Sequence, residues 1–342
     1  MSSSPTAQPL QGSISAEAIS SSKAHHQRTH ILLKTLGAGD NGDIHASILR
    51  SDVDQTTAKH DRRTAAFYKE LRAKVVAVKF VKPSTAEGDL ENEITFLTQC
   101  LTTRSVRVVH CINSVLNDNV QWLTTPYCSG GDLQSFINDH GASLNTSFIW
   151  HAGLELCEAL SFLLYGVTKE TQTHKSNRPK IFHGDIFTGN ILLRPSTNGF
   201  KTFPDLVVAD FGRATQLVIR DAISLTAKTH HRLYHALEQV QDLATVGQIL
   251  TGMQNMMLAA PDALPPDEFL KEWIAELQDF EGDEAGLRSV VAQVARGLPF
   301  IRKFMLAARR EREATYQPLG LAGMTAVNAV NITDADLALA LT

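Results

Sequence analysis

Short apolar runs separated by polar turns dominate the first third of the chain. Residues 31–49, ILLKTLGAGDNGDIHASIL, hold two such runs around a glycine turn, and residues 74–82, KVVAVKFVK, form a β-branched run between polar residues. Both patterns predict strands, and residues 106–116 and 120–128 are also strand-like. Residues 51–73 are a polar insertion with partial helical character. A helix is predicted where apolar residues recur at helical spacing, at Leu90, Ile94, Leu97 and Leu101.

Helical periodicity replaces this pattern after the turn Ser129-Gly130-Gly131. Helices are predicted at residues 132–140, 147–165, 241–258, 266–280 and 286–310. Apolar positions wrap most of the 147–165 helix, which predicts burial, and no stretch approaches the roughly 18 or more apolar residues of a membrane span. A small strand-rich part with one helix is thus followed by a larger, mainly helical part. This order predicts an α+β fold.

The two ends of the chain differ from this folded middle. Residues 1–27 are rich in Ser, Ala and Gln and hold few large apolar residues. They cannot offset their own ordering entropy, so we predict a disordered tail there. The folded domain is expected over residues 28–312, with a small part at about 28–126 and a large part at about 127–312. Residues 313–342 are expected to form a C-terminal tail.

Charge and composition narrow the classes of partner. The 342 residues include 32 Lys and Arg against 36 Asp and Glu, a formal net charge of −4, which argues against nucleic acid as the main partner. The four cysteines form no Cys-x-x-Cys pair, so neither a disulfide framework nor a zinc site is indicated. The first residues lack the apolar core of a secretory signal. We expect an intracellular protein that does not act at a membrane, in the cytoplasm or, given the basic run between Arg302 and Arg312, in the nucleus.

The glycine turn and the strand at 74–82 carry the first candidate chemistry. Gly37, Gly39 and Gly42 would let the backbone approach a ligand and direct N–H groups to phosphate oxygens, although an isolated match is as often an ordinary hairpin turn. Strand alternation places Lys79 on the face that the turn covers. A buried ammonium is costly without an anion, and the Glu-Asn-Glu sequence at 91–93 offers a counter-charge. The alternative is a lysine that merely protects a strand edge.

Two loops in the second half supply oxygen ligands and a candidate base. Residues 183–190 read His-Gly-Asp-Ile-Phe-Thr-Gly-Asn, and Asp210-Phe211-Gly212 follows an apolar run. The side-chain oxygens of Asn190 and Asp210 suit Mg²⁺ that is held by one or two protein groups together with nucleotide phosphates. Asp185 can then accept a proton from an attacking hydroxyl.

In this order and spacing, the four motifs resemble those of eukaryotic protein kinases. The resemblance runs from about His30 to at least Met253 and extends toward Arg310. It implies a two-lobed fold with a small antiparallel-sheet lobe and a larger, mainly helical lobe. It also implies ATP-dependent transfer of the γ-phosphoryl group to a protein hydroxyl, Ser or Thr rather than Tyr, with ATP and Mg²⁺ as ligands. The protein substrate and the oligomeric state are left open.

The resemblance also assigns roles to single residues. Asp185 would be the catalytic base, Asn190 and Asp210 would hold Mg²⁺, and Lys79 would contact the α- and β-phosphates while paired with Glu93. Thr125 would be the gatekeeper, the backbone at Pro126 and Cys128 would meet adenine, and Asp132 would lie near the ribose. The residues implied to bind the nucleotide are Gly37, Gly39, Gly42, Ile44, Ala77, Lys79, Glu93, Thr125, Pro126, Cys128 and Asp132.

Departures from the family pattern keep other hypotheses open. Gly184 stands where the family has the arginine that receives an activation-loop phosphate, and Phe187 replaces the lysine of Ser/Thr kinases. No Ala-Pro-Glu occurs before Asp242, which resembles the start of the family's buried central helix. The His-Gly-Asp sequence also resembles aminoglycoside and choline phosphotransferases, which act on small molecules. A third hypothesis is a pseudokinase scaffold or regulator, but the five phosphate-handling residues Lys79, Glu93, Asp185, Asn190 and Asp210 are all present.

Overall fold

The computed structural model divides the chain into two compact units. The residues described are 16–39, 42–62, 64–81, 89–117, 120–167, 180–197, 203–217, 225–259, 267–278, 287–319 and 332–341. The first unit holds the described residues up to Ile94, together with Cys111–Tyr127 and the segment from Ile332 onward; the second holds Thr95–His110 and the described residues from Cys128 to Leu319. The predicted single division near residue 126 therefore does not describe the chain. Thr95–His110 belongs to the second unit although it precedes that division, and the segment from Ile332 belongs to the first unit although it follows it.

The described strands belong to one larger sheet and two strand pairs. They are β1 (His30–Gly39), β2 (Gly42–Leu49), β3 (Val76–Phe80), β4 (Asn113–Asn117), β5 (Val120–Pro126), β6 (Lys180–Phe182), β7 (Ile191–Arg194), β8 (Asp205–Val208) and β9 (Thr215–Leu217). The first five form an antiparallel sheet in the order β1-β2-β3-β5-β4, and β6 pairs with β9 and β7 with β8. The sequence predicts strand over residues 106–112, but only an isolated parallel bridge from Val108 to Val208 forms there, in which Val109 N donates to Val208 O at 2.9 Å.

The described helices confirm the α+β class. They are α1 (Ala16–Gln27), α2 (Arg50–Lys59), α3 (Ala65–Arg72), α4 (Asp89–Thr95), α5 (Leu133–His140), α6 (Thr146–Tyr165), α7 (Leu225–Leu258), α8 (Glu268–Gln278), α9 (Leu287–Ala314) and α10 (Asp334–Ala340). The sequence predicts one helix in the small part, whereas α1 to α4 and α10 all belong to the first unit. The helix predicted at 241–258 is the C-terminal half of α7.

The sheet of the first unit has two chemically different faces. Val78, Phe80 and Trp122 are buried together on one face, as the alternation in β3 predicts. The residues between them, Ala77 and Lys79, point to the other face and are only partly buried. The face of Lys79 is mixed, because it also carries Ala46 and Ile48, which are fully buried in a second apolar cluster.

Helix α1 covers the apolar face, so the prediction of a disordered tail is wrong for residues 16–27. The His26 ring is fully buried edge-on to Phe80 and Trp122, at centroid distances of 5.5 and 5.0 Å. Gln121 N donates to Ser22 Oγ at 2.9 Å. The helix is held by a buried histidine ring that packs against aromatic side chains. Histidine is not counted among the large apolar residues, so composition does not predict this packing. Residues 1–15 lie outside the described residues.

Acidification is expected to weaken the packing of α1. Burial, with the neighbouring His30, His25 and His45, lowers the pKa of His26 from 6.5 to about 3. A group whose pKa is depressed by folding stabilises the fold above its unfolded pKa, so this contribution is lost as pH falls from about 6.5 toward 3. Melting temperatures from pH 8 to 4 should therefore fall less steeply in His26→Phe than in the wild type. Equal slopes would contradict this role of His26.

The predicted C-terminal tail is folded where the structure describes it. Ile332 and Leu337 are 2% and 0% exposed and pack in one cluster with Phe67 and Leu71 of α3. A capping box between Thr333 and Asp336 starts α10. Residues 313 and 314 are the last of α9, and the irregular segment 315–319 that follows ends at the buried Leu319. The expectation of a tail over 313–342 is thus wrong for these segments, because their few apolar residues find partners far away in the sequence.

Helix α6 is the centre of the second unit. Asn145 caps it by accepting from Phe148 N at 2.9 Å, and Gly166 ends it with φ +68°. Contrary to the expectation from sequence, α6 is the one described helix that is long and apolar enough to cross a membrane, but 94% of that window is buried inside the structure. It is therefore built like the core helix that its all-round apolar pattern predicts.

A buried arginine ties α6 to β8. Arg107 is 7% exposed and contacts three carboxylates, Glu155 at 2.5 Å, Glu158 at 2.9 Å and Asp205 at 3.3 Å. Glu155 also accepts from Leu206 N at 2.7 Å. The guanidinium stays protonated, and burying its charge is costly without such partners, so this network fixes the strand that leads to Asp210.

Candidate active site

The glycine turn places Gly42 against β3. Gly42 has φ +153°, and a Cβ there would lie 2.5 Å from Phe80 O and 3.3 Å from Lys79 Cγ. A Cβ at Gly37 would meet nothing within 4 Å, and Gly39 pairs with Gly42 across the turn. Asp40 and Asn41 lie outside the described residues. The fold therefore requires glycine at 42, whereas the space beside Gly37 is open.

Substituting these two glycines should separate a structural effect from a ligand effect. Gly42→Ala is expected to lower the free energy of unfolding by about 1–3 kcal/mol, because the methyl group would collide with the backbone of β3 at an unfavourable φ. Gly37→Ala should leave stability nearly unchanged and raise the KM for ATP if the turn covers phosphates. Denaturant unfolding and ATP titration measure the two effects. Equal stability losses in both variants would contradict this assignment.

Lys79 and Glu93 form a buried ion pair. Lys79 Nζ lies 2.7 Å from Glu93 Oε2, and the two side chains are 11% and 4% exposed. Leu90 and Ile94 are buried on the same helical face as Glu93, whereas Glu91 is exposed. The packing of α4 thus selects Glu93 rather than Glu91 as the partner of Lys79.

Three other candidate residues share the face of the sheet that carries Lys79. Ile44 lies opposite Lys79, and Ala77 lies opposite Thr125. Residues directly opposite each other in antiparallel strands point to the same face, so these four side chains form one partly exposed surface of the first unit. Pro126 lies one residue after Thr125 and points its ring to the other face.

In the second unit, buried hydrogen bonds fix the loop at 183–190. The Asp242 carboxylate on α7 accepts from His183 N at 2.8 Å and from Gly184 N at 3.1 Å. Burial lowers the pKa of His183 below its ordinary value, so the ring is neutral at pH 7. Its Nε2 donates to Ala209 O at 3.0 Å, and its Nδ1 accepts from Asp185 N at 3.3 Å. His183 is therefore a structural link between the loop and the end of β8.

The same loop brings together Asp185, Asn190 and Asp210. Asn190 Nδ2 donates to Asp185 O at 2.9 Å and to Asp185 Oδ2 at 3.2 Å. Ala209 N donates to Asn190 O at 2.9 Å, which continues the pairing of β7 with β8. Asp210 follows with φ +65°, the one non-glycine residue with positive φ in the part of the chain that the structure describes. Such backbone strain is typical of functional sites.

Asn190 and Asp210 fit the requirements of Mg²⁺. Asn190 is 8% exposed, and its Nδ2 donates to Asp185. The other amide atom, Oδ1, is the one that would bind the metal. An amide oxygen and a carboxylate are hard ligands that Mg²⁺ accepts when phosphates and water complete its shell. No group of three or more His, Cys, Asp or Glu side chains able to hold a metal occurs among the described residues. A metal at this site would therefore depend on the nucleotide for further ligands.

Cys128 and Asp132 have structural surroundings in the second unit. Burial raises the pKa of the Cys128 thiol to about 11. The Asp132 carboxylate caps α5 by accepting from Ser135 N at 2.8 Å and from Ser135 Oγ at 2.9 Å. The nucleotide contacts that the resemblance assigns to these two residues stay predictions.

The site that the sequence predicts lacks two residues that contact the 183–190 loop. The sequence places Asp242 at the start of a helix, whereas it lies within α7 and its carboxylate accepts from the loop backbone. Arg213 contacts Asp185, with Nη1 3.5 Å from Oδ1. A signal existed for Arg213 alone, since it directly follows Asp210-Phe211-Gly212.

Comparison with known proteins gives one family. The profile described as protein tyrosine and serine/threonine kinase matches residues 31–246. A Caenorhabditis elegans protein named "Probable serine/threonine-protein kinase zyg-1" is 23% identical over 199 residues, which are 56% of this chain and 25% of that protein. An Arabidopsis thaliana protein named "Probable LRR receptor-like serine/threonine-protein kinase RPK1" is 29% identical over 141 residues, 40% of this chain and 22% of that protein. The matched regions span about a quarter of each relative.

Proposed function

The chain belongs to the protein tyrosine and serine/threonine kinase family, whose profile matches more than half of its length, and we propose that it transfers the γ-phosphoryl group of ATP to a protein hydroxyl. Serine or threonine is the proposed acceptor, since both similar proteins are named serine/threonine-protein kinases. The proposal names the acceptor group, a serine or threonine hydroxyl, and no particular protein substrate.

The buried Lys79–Glu93 pair carries the proposal. Removing a cation and an anion from water is costly, and apolar residues of similar size would often stabilise a fold as well or better. Lys79 points to the partly exposed face of the sheet, 2.7 Å from Glu93. An ammonium held there can bind the α- and β-phosphates of ATP.

The second unit supplies the groups for proton transfer and metal binding. Asp185 would accept the proton of the attacking hydroxyl, and Asn190 Nδ2, 3.2 Å from Asp185 Oδ2, orients that carboxylate. Asn190 and Asp210 would hold Mg²⁺, which when bound neutralises charge on the phosphates. Asp242 and His183 keep the loop in place.

The proposal is tested by incubating purified protein with Mg²⁺, γ-labelled ATP and a set of acceptors. These acceptors are the protein itself, a generic basic protein, degenerate peptides, and choline or an aminoglycoside. We expect label in phosphoserine or phosphothreonine after acid hydrolysis. Label in phosphotyrosine would overturn the acceptor assignment, and label in a small molecule would favour the small-molecule kinase. ATP binding without transfer to any acceptor would favour the pseudokinase.

A further inference from the structure

The loop that carries Asp185 contributes no cation of its own. Residues 183–190 contain neither Lys nor Arg, and the buried His183 is neutral at pH 7. Asp185 and the neighbouring Asp210 both add negative charge. Phosphoryl transfer builds negative charge on the oxygens of the transferring group, and enzymes stabilise that charge with positioned cations. Apart from the Mg²⁺ proposed at Asn190 and Asp210, a positive side chain near Asp185 must therefore come from outside the loop.

Arg213 brings such a group to Asp185. Its Nη1 lies 3.5 Å from Asp185 Oδ1, and the two side chains are 64% and 24% exposed. An exposed ion pair of this kind contributes little to stability. Breaking the ion pair with Asp185 therefore costs little free energy, and the guanidinium stays close to this carboxylate when the pair is broken.

The backbone of Arg213 is fixed although its side chain is exposed. Ala214 N donates to Phe211 O at 3.1 Å, and both Phe211 and Ala214 are buried. Phe182 of β6 pairs with Thr215 of β9. Phe182 directly precedes the 183–190 loop and Thr215 lies two residues after Arg213, so the pairing holds the two segments side by side. The exposed side chain of Arg213 is thus attached to a backbone that hydrogen bonds hold in place.

Gly184 makes this close approach sterically acceptable. It has φ +72°, and a Cβ at this position would lie 3.0 Å from Arg213 O. Because Gly184 has no side chain, the backbone of Arg213 can lie this close to the loop. A larger residue at 184 would crowd the turn that carries Arg213.

We infer that Arg213 is a catalytic residue that binds the non-bridging oxygens of the transferring phosphoryl group. This inference rests on the proposed phosphotransferase function. In the step, the acceptor oxygen bonds to Pγ while the bond from Pγ to the β–γ bridging oxygen breaks, and its electron pair leaves with ADP. The hydroxyl proton passes to Asp185. Arg213 releases Asp185 Oδ1 for this proton and donates its N–H groups to the phosphoryl oxygens.

Arg213→Met tests the inference with two independent readouts. We expect kcat to fall about 100-fold, the size of effect produced by losing one donor to a developing oxyanion, with the KM for ATP changed less than about threefold. Binding of Mg²⁺ and ADP should be unchanged, but the tightening caused by aluminium fluoride, which imitates the transferring group, should weaken about tenfold or more. Arg213→Lys should recover part of both effects.

Arg310→Met is the matched control. Arg310 is 69% exposed and pairs with Glu311, which is 23% exposed, so it resembles Arg213 in burial and in having an acidic partner. Its kcat and its aluminium fluoride effect should equal those of the wild type. Arg213→Met with kcat within twofold of the wild type and normal tightening would overturn the inference. A joint fall in melting temperature, ADP affinity and kcat would also overturn it, because it indicates a structural role.

The wild-type arm separates this inference from the proposed function. If the wild type transfers phosphate and Arg213→Met does so equally well, the inference alone fails. If the wild type transfers no phosphate to any acceptor and aluminium fluoride does not tighten ADP binding, both fail.

Discussion

Replacing Asp185 with asparagine is expected to lower the rate of phosphoryl transfer by about 10³-fold, within the range that general-base catalysis contributes. The amide has nearly the same shape as the carboxylate but cannot accept the hydroxyl proton. The main bond to the loop, from Asn190 Nδ2 to the backbone oxygen of residue 185 at 2.9 Å, does not involve the altered group. Melting temperature and ADP affinity should therefore stay close to those of the wild type while single-turnover transfer is lost.

Asp139→Asn is the control for this change of charge. Asp139 is an exposed residue of α5 in the same unit, and its substitution should leave transfer unchanged. Transfer by Asp185→Asn at the wild-type rate would show that Asp185 is not the base. Loss of transfer together with a lower melting temperature would instead indicate that the loop had been disturbed.

Replacing Lys79 with methionine is expected to remove activity and to weaken the fold. The variant loses the cation for the ATP phosphates, and kcat/KM should fall about 10²–10³-fold. It also removes the ammonium that lies 2.7 Å from the Glu93 carboxylate, which is only 4% exposed. Breaking one side of a buried pair costs about 3–5 kcal/mol in the free energy of unfolding. Denaturant unfolding and steady-state kinetics of the same preparation measure both losses.

A double variant separates the two effects of Lys79. Lys79→Met combined with Glu93→Leu should recover most of the stability, since an apolar pair replaces the ion pair, and should stay inactive. Lys59→Met is the matched control, because Lys59 also pairs with a glutamate at 2.7 Å but is 64% exposed, and it should be neutral. The assignment of Lys79 fails if the double variant is active or if Lys79→Met binds and turns over ATP normally.

Most strands and the principal helices could be predicted because their patterns are local. The alternation of Val78, Lys79 and Phe80 predicts which residues face the core, and the burial of Val78 and Phe80 confirms it. The apolar pattern of α6 likewise predicts its burial. These elements obey the period of a single strand or helix, so a short window contains the information.

The errors concern segments whose packing partners are distant in the sequence. Helix α1 depends on Phe80 and Trp122, and the segment around Leu337 depends on Phe67 and Leu71. Neither segment has enough apolar residues of its own to predict order. Composition alone suggests that these segments cannot offset the conformational entropy lost on ordering. Burial of a few of their side chains against other elements supplies enough free energy to do so.

By itself, the sequence determined the kinase family and the candidate residues, because motif order and strand or helix periodicity are properties of the linear chain. The resemblance to kinases already assigned Glu93 as the partner of Lys79, and the 2.7 Å contact agrees with it. Only the tertiary structure decided that Asp242 holds the loop of Asp185 and that Arg213 reaches Asp185. The Asp242–Gly184 and Arg213–Asp185 contacts join residues 58 and 28 positions apart (242 − 184 and 213 − 185). Such pairs form when packing and strand pairing bring remote segments together, and no local pattern encodes them.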